Sequence, residues 1–282
     1  DLIKLLLILN DKPTKEMTDL VSEDANFVTK NSDRIHASLE ALKTFLRITK
    51  NYSWFSSSKN RSAIPLYFIT YHIFYSDIPT DRLKDMFSRF DTTDISCQDM
   101  SVWLRLSLLN RVFSRGCGWI PYKTGIRKIH AVMKESKGKP FPKDSLFEVY
   151  KSHPLSFIDI VNDNNLNYFD MEYMLYLIYE GQPKVRSEDV DHIHPQSILK
   201  RADVDELKIN SIANYQLLDI GTNRGAKNDK ELFDWIRDGV VNKDLYLDMH
   251  LIPRDESLWK SENFDQFLIE RSKLITAKIN SY

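Results

Sequence analysis

The sequence is poor in cysteine and glycine. Of its 282 residues only two are cysteines, Cys97 and Cys117, and they form no CxxC pair, which excludes a zinc ribbon and a disulfide-stabilised scaffold. Two unpaired thiols are typical of a protein in a reducing compartment, so we expect a cytoplasmic location. Only eight glycines are present, and neither GxxxxGK[ST] nor GxGxxG occurs, which excludes the glycine-rich loops that bind nucleotide phosphates.

Long apolar runs are missing as well. The longest purely aliphatic run, from Leu5 to Leu9, is far too short to cross a bilayer, and no small-residue cleavage site follows it. We therefore expect no membrane partner. The chain does not begin with methionine, which suggests a fragment of a longer protein.

Neither sign of charge is in excess over the whole chain, whose formal net charge is -1. One segment is an exception: from Arg105 to Lys151, eleven Lys and Arg residues stand against three acidic ones, a local net charge of +8. Trp103, Trp119 and Tyr122 lie in or beside it. A basic face of this kind suits binding to nucleic-acid phosphates. The alternative is a solvated surface balanced by acidic residues elsewhere.

Helical spacing of apolar residues dominates the first 180 residues. The segments predicted to be helical are 31–50, 64–75, a helix starting at 79–80, 102–113, 126–133 and 171–180, the last capped by Asp170. Each apolar stripe is assigned to a hydrophobic core. After residue 183 strand-like alternation replaces helical spacing, apart from an amphipathic segment over 264–275. We therefore predict a helical domain over 1–182 and a second domain over 183–282.

The second domain contains the most informative pattern. Short strands are predicted over about 190–193 and 215–218, joined by a long loop. Residues 221–223 look like a turn, and a helix is expected after it. The prediction is a hairpin followed by a helix.

Three residues in this hairpin suggest chemistry. Asp191 and His192 are neighbours on a strand, so their side chains point to opposite faces unless the chain bends. A carboxylate such as Asp191 binds hard divalent cations, and Asn223 offers a second oxygen ligand. An imidazole that stays off the metal takes a proton from water near neutral pH. A site with only two protein ligands suits Mg²⁺, because this ion keeps several of its bound waters.

The motif DVDHIHPQS at 189–197, the later Asn214 and NRGAK at 223–227 resemble the HNH (His-Me finger, ββα-metal) endonucleases. The residues of this motif are similar to those in the HNH domains of RNA-guided CRISPR nucleases. The spacing and the helical surroundings are more similar to GmrSD-type, modification-dependent restriction proteins. The resemblance implies a mostly α protein in which a helical N-terminal region is followed by a ββα-metal finger embedded in helices.

The resemblance also implies roles for individual residues. His192 matches the general base, and Asn214 matches the catalytic-motif asparagine that braces the loop and orients the base. Asp191 and Asn223 match the ligands of Mg²⁺ (or Mn²⁺). The other positions are expected to contact substrate: His194, Arg224 and Lys227.

His194 departs from the apolar residue that is commoner at its position in the family. It could be a third metal ligand, a phosphate contact or an exposed bystander. We favour a bystander or a substrate contact, because His194 should lie on the same face as His192 but beyond the bend.

The function implied by the resemblance is metal-dependent cleavage of phosphodiester bonds in DNA, in defence against phage, with modified or phage DNA as the target. An N-terminal nucleotidase-like domain, absent from this chain, is the expected protein partner. Two alternatives remain open. One is a nucleic-acid-binding module with an inactive hairpin, and the other is a helical interaction domain of a larger defence protein.

Overall fold

Helices make up most of the chain. The computed structural model describes residues 2–12, 22–57, 61–87, 95–113, 124–152, 157–180 and 188–282. Of the described residues, 67 % are helical and 4 % are in strands, which confirms the predicted mostly α class. The chain divides into two units, residues 1–159 and 160–282, and each is described by itself.

The first unit is built from helices, with a core of aromatic and aliphatic side chains that includes Phe45, Phe68 and Trp103. Its helices are α1 Leu2–Leu9, α2 Ser22–Ile48, α3 Tyr52–Ser56, α4 Ile64–Phe74, α5 Thr80–Leu83, α6 Ile95–Leu109, α7 Thr124–Glu135 and α8 Lys143–Lys151. Helix α4 packs against α1, α2, α6 and α7. Cys97 is buried in this unit, whereas Cys117 lies outside the described residues.

The longest helix starts earlier than its sequence indicated. Asn31 and Ser32 were expected to open it, because Asn and Ser favour the position before a helix. In the structure α2 already begins at Ser22, with Glu23 in its first turn. Asn31 lies inside the helix and donates from Nδ2 to the Phe27 carbonyl at 2.8 Å. The asparagine bonds to the preceding turn, so it does not act as a cap.

Other predicted helices are present with different ends. Helix α4 has Pro65 in its first turn, where a missing backbone N–H costs nothing. Helix α6 starts before the predicted residue 102 and ends at Leu109 rather than 113. Helix α5 is a single turn. The predicted cap of α9 (Met171–Ile178) is confirmed, since Asp170 Oδ1 accepts from the Tyr173 amide at 2.7 Å.

The second unit contains one antiparallel hairpin surrounded by helices. Strand β1 is Glu188–His192 and β2 is Tyr215–Asp219. The helices after α9 are α10 Gln196–Arg201, α11 Glu206–Ile209, α12 Leu232–Asp238, α13 Lys243–His250 and α14 Phe264–Asn280, with a π-helical turn at Thr222–Lys227. The strand-like alternation expected after residue 183 is therefore wrong for most of this region. Its apolar residues form a helical core around the hairpin, which includes Ile193, Leu218, Trp235 and Phe267.

The division between the units lies earlier than the predicted boundary after residue 182. Residues from 160 onward bond to the hairpin region. Asn167 Oδ1 accepts from the Ile212 amide at 2.9 Å, and the Leu217 amide donates to Tyr179 Oη at 3.2 Å. These hydrogen bonds join the residues on either side of α9 to the hairpin region, so α9 belongs to the second unit. No helix among the described residues is both long and apolar enough to cross a membrane.

Candidate functional site

The hairpin register places the motif residues opposite named partners. Asp191 faces Gln216 and His192 faces Tyr215 across the two strands. As expected for neighbours on a strand, Asp191 and His192 have separate surroundings. The two motif residues thus occupy two adjoining polar environments at the C-terminal end of β1.

The Asp191 carboxylate is bound by two donors on one oxygen. Oδ2 accepts from Lys227 Nζ at 2.7 Å and from Gln216 Nε2 at 2.9 Å. The Asp191 side chain is 14 % exposed and that of Lys227 is fully buried. Burial lowers the pKa of Lys227, and the Asp191 charge opposes that shift. The ammonium offsets the charge of the buried carboxylate and occupies its Oδ2, so only Oδ1 is left for another partner.

The Lys227 ammonium also ties the end of β1 to the turn after β2. Besides Asp191, Nζ donates to the His192 carbonyl at 2.7 Å. Asn223 lies in the same π-helical turn and is partly exposed. The salt bridge therefore brings the Asn223-bearing turn to the strand that carries Asp191. Sequence reasoning assigned Lys227 to substrate phosphate, and this needs correction because the ammonium has no exposed surface.

His192 is half-buried beside Asn210 and Tyr215. Its Nε2 lies 3.1 Å from Asn210 Oδ1, which also accepts from Tyr215 Oη at 3.1 Å, and the two rings are 4.9 Å apart. Because an amide oxygen only accepts, Nε2 carries the hydrogen and Nδ1 keeps its lone pair for a proton. Burial is the main cause that lowers the pKa of His192. A neutral imidazole in this tautomer can act as a base through Nδ1.

Asn214 braces the segment that follows His192. Its side chain is fully buried. Oδ1 accepts from the His194 amide at 2.9 Å, and Nδ2 donates to the carbonyls of Ile209 at 2.9 Å and His194 at 3.3 Å. Asn214 therefore acts through the backbone and has no surface for substrate. These bonds hold the backbone of residues 193–194 in place directly after His192.

His194 lies in the hydrophobic core, and the expectation of a substrate contact needs correction. The residue is fully buried, with ring centroids 4.5 Å from Phe267 and 5.4 Å from Phe264. Burial lowers the pKa of His194 to about 3, so the imidazole is neutral. A metal ligand, a phosphate contact or a bystander would need an accessible ring, and this ring packs as a core side chain.

Arg224 is the predicted substrate contact that reaches solvent. Its side chain is 71 % exposed, and Nε and Nη2 donate to Asp189 Oδ2 at 3.1 and 3.0 Å. Exposed ion pairs of this kind contribute little stability. The guanidinium is therefore free to exchange Asp189 for a phosphate at small cost.

Several residues at the site carry no motif signal. Gln216, Tyr246, Asn210 and Arg271 come from β2, α13, the loop between the strands and α14. Gln216 had the clearest clue, a polar side chain within an apolar strand. The others become neighbours of the motif only through tertiary packing.

The site offers few protein ligands for a metal ion. Among the described residues no group of three or more His, Cys, Asp or Glu side chains could hold a metal ion. A metal ion at this site would therefore have one carboxylate ligand, Asp191, and one amide ligand, Asn223, from the described residues.

Comparison with known proteins is negative. No family model matches this chain, and no curated protein matches its sequence.

The basic segment is only partly neutralised in the first unit. Lys137 lies 2.7 Å from Asp11, Lys143 lies 2.6 Å from Asp99, and Lys151 lies 2.9 Å from Asp159. Arg115 and Lys123 lie outside the described residues.

Two basic residues on α7 differ from these paired lysines. Arg127 and Lys128 are exposed, and no acidic side chain of the described part of the chain pairs with them. A local positive surface therefore remains on α7.

Proposed function

We propose that this chain is a metal-dependent HNH endonuclease that hydrolyses phosphodiester bonds in DNA, and that its hairpin and following turn form a ββα-metal finger. The observation that carries the proposal is the pairing of Asp191 and His192 at the end of β1. The first is a carboxylate paired with the Lys227 ammonium, and the second is an imidazole whose Nε2 is bonded to Asn210, which leaves Nδ1 to accept a proton. A carboxylate ligand beside a proton-accepting imidazole is an arrangement that metal-dependent hydrolysis can use.

The residues present fit a hard divalent cation. Asp191 offers a carboxylate oxygen and Asn223 an amide oxygen, and Mg²⁺ and Mn²⁺ prefer oxygen ligands. When bound, Mg²⁺ or Mn²⁺ would supply charge neutralisation at the scissile phosphate.

The remaining chemistry falls to the chain's own side chains. His192 Nδ1 accepts a proton from water as the water oxygen bonds to phosphorus. The bond between phosphorus and the 3′ oxygen breaks, and the leaving oxygen takes a proton from solvent. The products are a 5′-phosphate and a 3′-hydroxyl. Asn214 holds the backbone after His192 in place, so the base is oriented before substrate arrives.

The biological setting follows from the resemblance alone. Similarity to modification-dependent restriction proteins suggests that the target is phage or modified DNA. It also suggests that a nucleotidase-like domain precedes this region in the complete protein. Plasmids with and without modified bases, compared in the assay below, address the choice of target.

Chelation and loss of the Asp191 charge are expected to stop cleavage. EDTA should abolish plasmid nicking, and added Mg²⁺ or Mn²⁺ should restore it. Asp191→Asn keeps the size of the side chain but removes its charge, and should slow nicking by at least about a hundredfold. Gel-based nicking rates at several metal concentrations measure both effects.

Asp265→Asn is the matched control, because Asp265 is an exposed partner of Lys208. Asp191→Asn also leaves the buried Lys227 without its counter-charge, so thermal unfolding must show that each variant is folded at the assay temperature. Nicking that persists in EDTA, or at the wild-type rate in folded Asp191→Asn, would contradict the proposal.

A DNA-binding module without cleavage is the second candidate, and the exposed cations of α7 favour it. Each phosphate contact makes binding salt-dependent, with a slope of about 0.9 per contact in a plot of log affinity against log salt. If Arg127 and Lys128 each contact a phosphate, Arg127→Ala/Lys128→Ala should reduce the slope by about 2. Fluorescence anisotropy across a salt series measures it.

Arg82→Ala/Lys84→Ala removes the same charge from exposed positions at α5 and controls for net charge. An equal change in both double variants would argue against a site on α7. Salt-sensitive binding combined with no nicking under any divalent ion would favour the second candidate over the nuclease.

A further inference from the structure

A chain of hydrogen bonds runs from the interior of the second unit to the Asp191 carboxylate. Tyr246 Oη donates to Gln216 Oε1 at 2.8 Å, and Gln216 Nε2 donates to Asp191 Oδ2 at 2.9 Å. Gln216 and Tyr246 are both buried. Neither residue belongs to the motif.

The Gln216 amide is held at both ends. An amide can present either its oxygen or its nitrogen to a neighbour, and the ionised Asp191 carboxylate, which only accepts, takes the nitrogen. The amide oxygen then faces Tyr246, whose hydroxyl donates to Oε1 and fixes the position of the amide. The Tyr246 ring is itself held by His250, with centroids 4.3 Å apart, and by Trp235 at 6.4 Å.

The position of the two donors leaves one carboxylate oxygen available. Gln216 and Lys227 both donate to Oδ2, and no described residue donates to Oδ1. Two bonds on one oxygen fix the rotation of the carboxylate group. The other oxygen then has a fixed direction before any ligand binds.

We propose that Gln216 and Tyr246 are positioning residues that orient Asp191 to bind a hard divalent cation through Oδ1 alone. This inference rests on the proposed function and adds how its acidic ligand is held. Outer partners of this kind commonly contribute about 10- to 100-fold to metal affinity. A role limited to packing would leave metal affinity unchanged.

Tyr246→Phe tests the proposal, because it removes only the hydroxyl and keeps the ring. The expected result is Mn²⁺ binding about 10- to 100-fold weaker by isothermal titration calorimetry on the full chain. Nicking should then need correspondingly more Mn²⁺ for half-maximal rate, while the rate at saturating Mn²⁺ should change much less. Gln216→Met should give a similar loss.

The two residues should also act together. The double variant Gln216→Met/Tyr246→Phe should lose little more affinity than Gln216→Met, because Tyr246 acts through Gln216. Tyr282→Phe is the matched control, since its hydroxyl donates to the Leu177 carbonyl at 2.8 Å in the same unit. It should bind Mn²⁺ like the wild type.

Different results would overturn different claims. Wild-type Mn²⁺ affinity in folded Tyr246→Phe and Gln216→Met would overturn this inference and leave the nuclease proposal standing. A wild-type protein that binds neither Mn²⁺ nor Mg²⁺ would overturn both. If Tyr246→Phe fails to fold, the affinity of Gln216→Met decides.

Discussion

Replacing His192 by alanine is expected to reduce DNA cleavage by about a hundred- to ten-thousandfold, the usual contribution of a positioned general base. His192 Nδ1 has the lone pair that accepts the proton of water, since Nε2 is committed to Asn210. The fold should survive, because the residue is only half-buried and its polar contact lies at the end of β1. Nicking rates at saturating metal and circular dichroism measure the two effects.

His36→Ala is the matched control for this variant, because His36 is exposed on α2 in the other unit. DNA affinity should be the same in wild type, His192→Ala and His36→Ala, since the proposed role of His192 is proton transfer and not binding of the DNA phosphates. A folded His192→Ala protein that cuts at the wild-type rate would refute the assignment of the base.

Replacing Arg271 by methionine is expected to destabilise the second unit strongly. Arg271 is fully buried on α14, and its Nε and Nη2 donate to the His250 carbonyl at 3.1 and 2.9 Å. Its Nη1 donates to the Ile212 carbonyl at 3.2 Å. Burial lowers the pKa of Arg271 to about 10, so the guanidinium is still charged at neutral pH.

The loss comes from two carbonyls left without donors, each costing roughly 1 to 3 kcal/mol. Part of it is offset because methionine carries no charge into the interior. We expect the free energy of unfolding to fall by about 3 kcal/mol, measured by urea denaturation. Arg237→Met removes an exposed guanidinium and should change it by less than about 0.5 kcal/mol. Equal stabilities for the two variants would show that Arg271 does not brace the hairpin.

Much of the helical architecture could be predicted because apolar spacing is a local property. It located α4, α7 and α9 and the cap at Asp170. It failed at the start of α2, where Asn31 bonds within the helix instead of capping it. The strand-like texture after residue 183 was misleading, because short helices packed around a hairpin bury apolar residues without a clear period.

The candidate site was predictable only where the motif is contiguous. Asp191 and His192 are adjacent in sequence, so their proximity needs no fold. The environment of a polar residue is different, because burial is decided by distant segments. From sequence, His194 and Lys227 were therefore expected to be accessible. In the structure both are buried: His194 packs against Phe267, and Lys227 is paired with Asp191. Gln216 and Tyr246 were missed for the same reason.

The turn Thr222–Lys227 makes the region sensitive to length rather than to composition. Its wide winding is visible in the Asn228 amide, which donates to the carbonyl five residues back, that of Asn223, at 3.0 Å. A Cβ atom added at Gly225 would meet no atom within 4 Å, so there is room for alanine at this position. Deleting one residue between Asn223 and Lys227 would rewind the turn toward an ordinary helix and rotate the lysine by about 100°. Asp191 would then lose its ammonium partner although Asp191 and Lys227 were both still present.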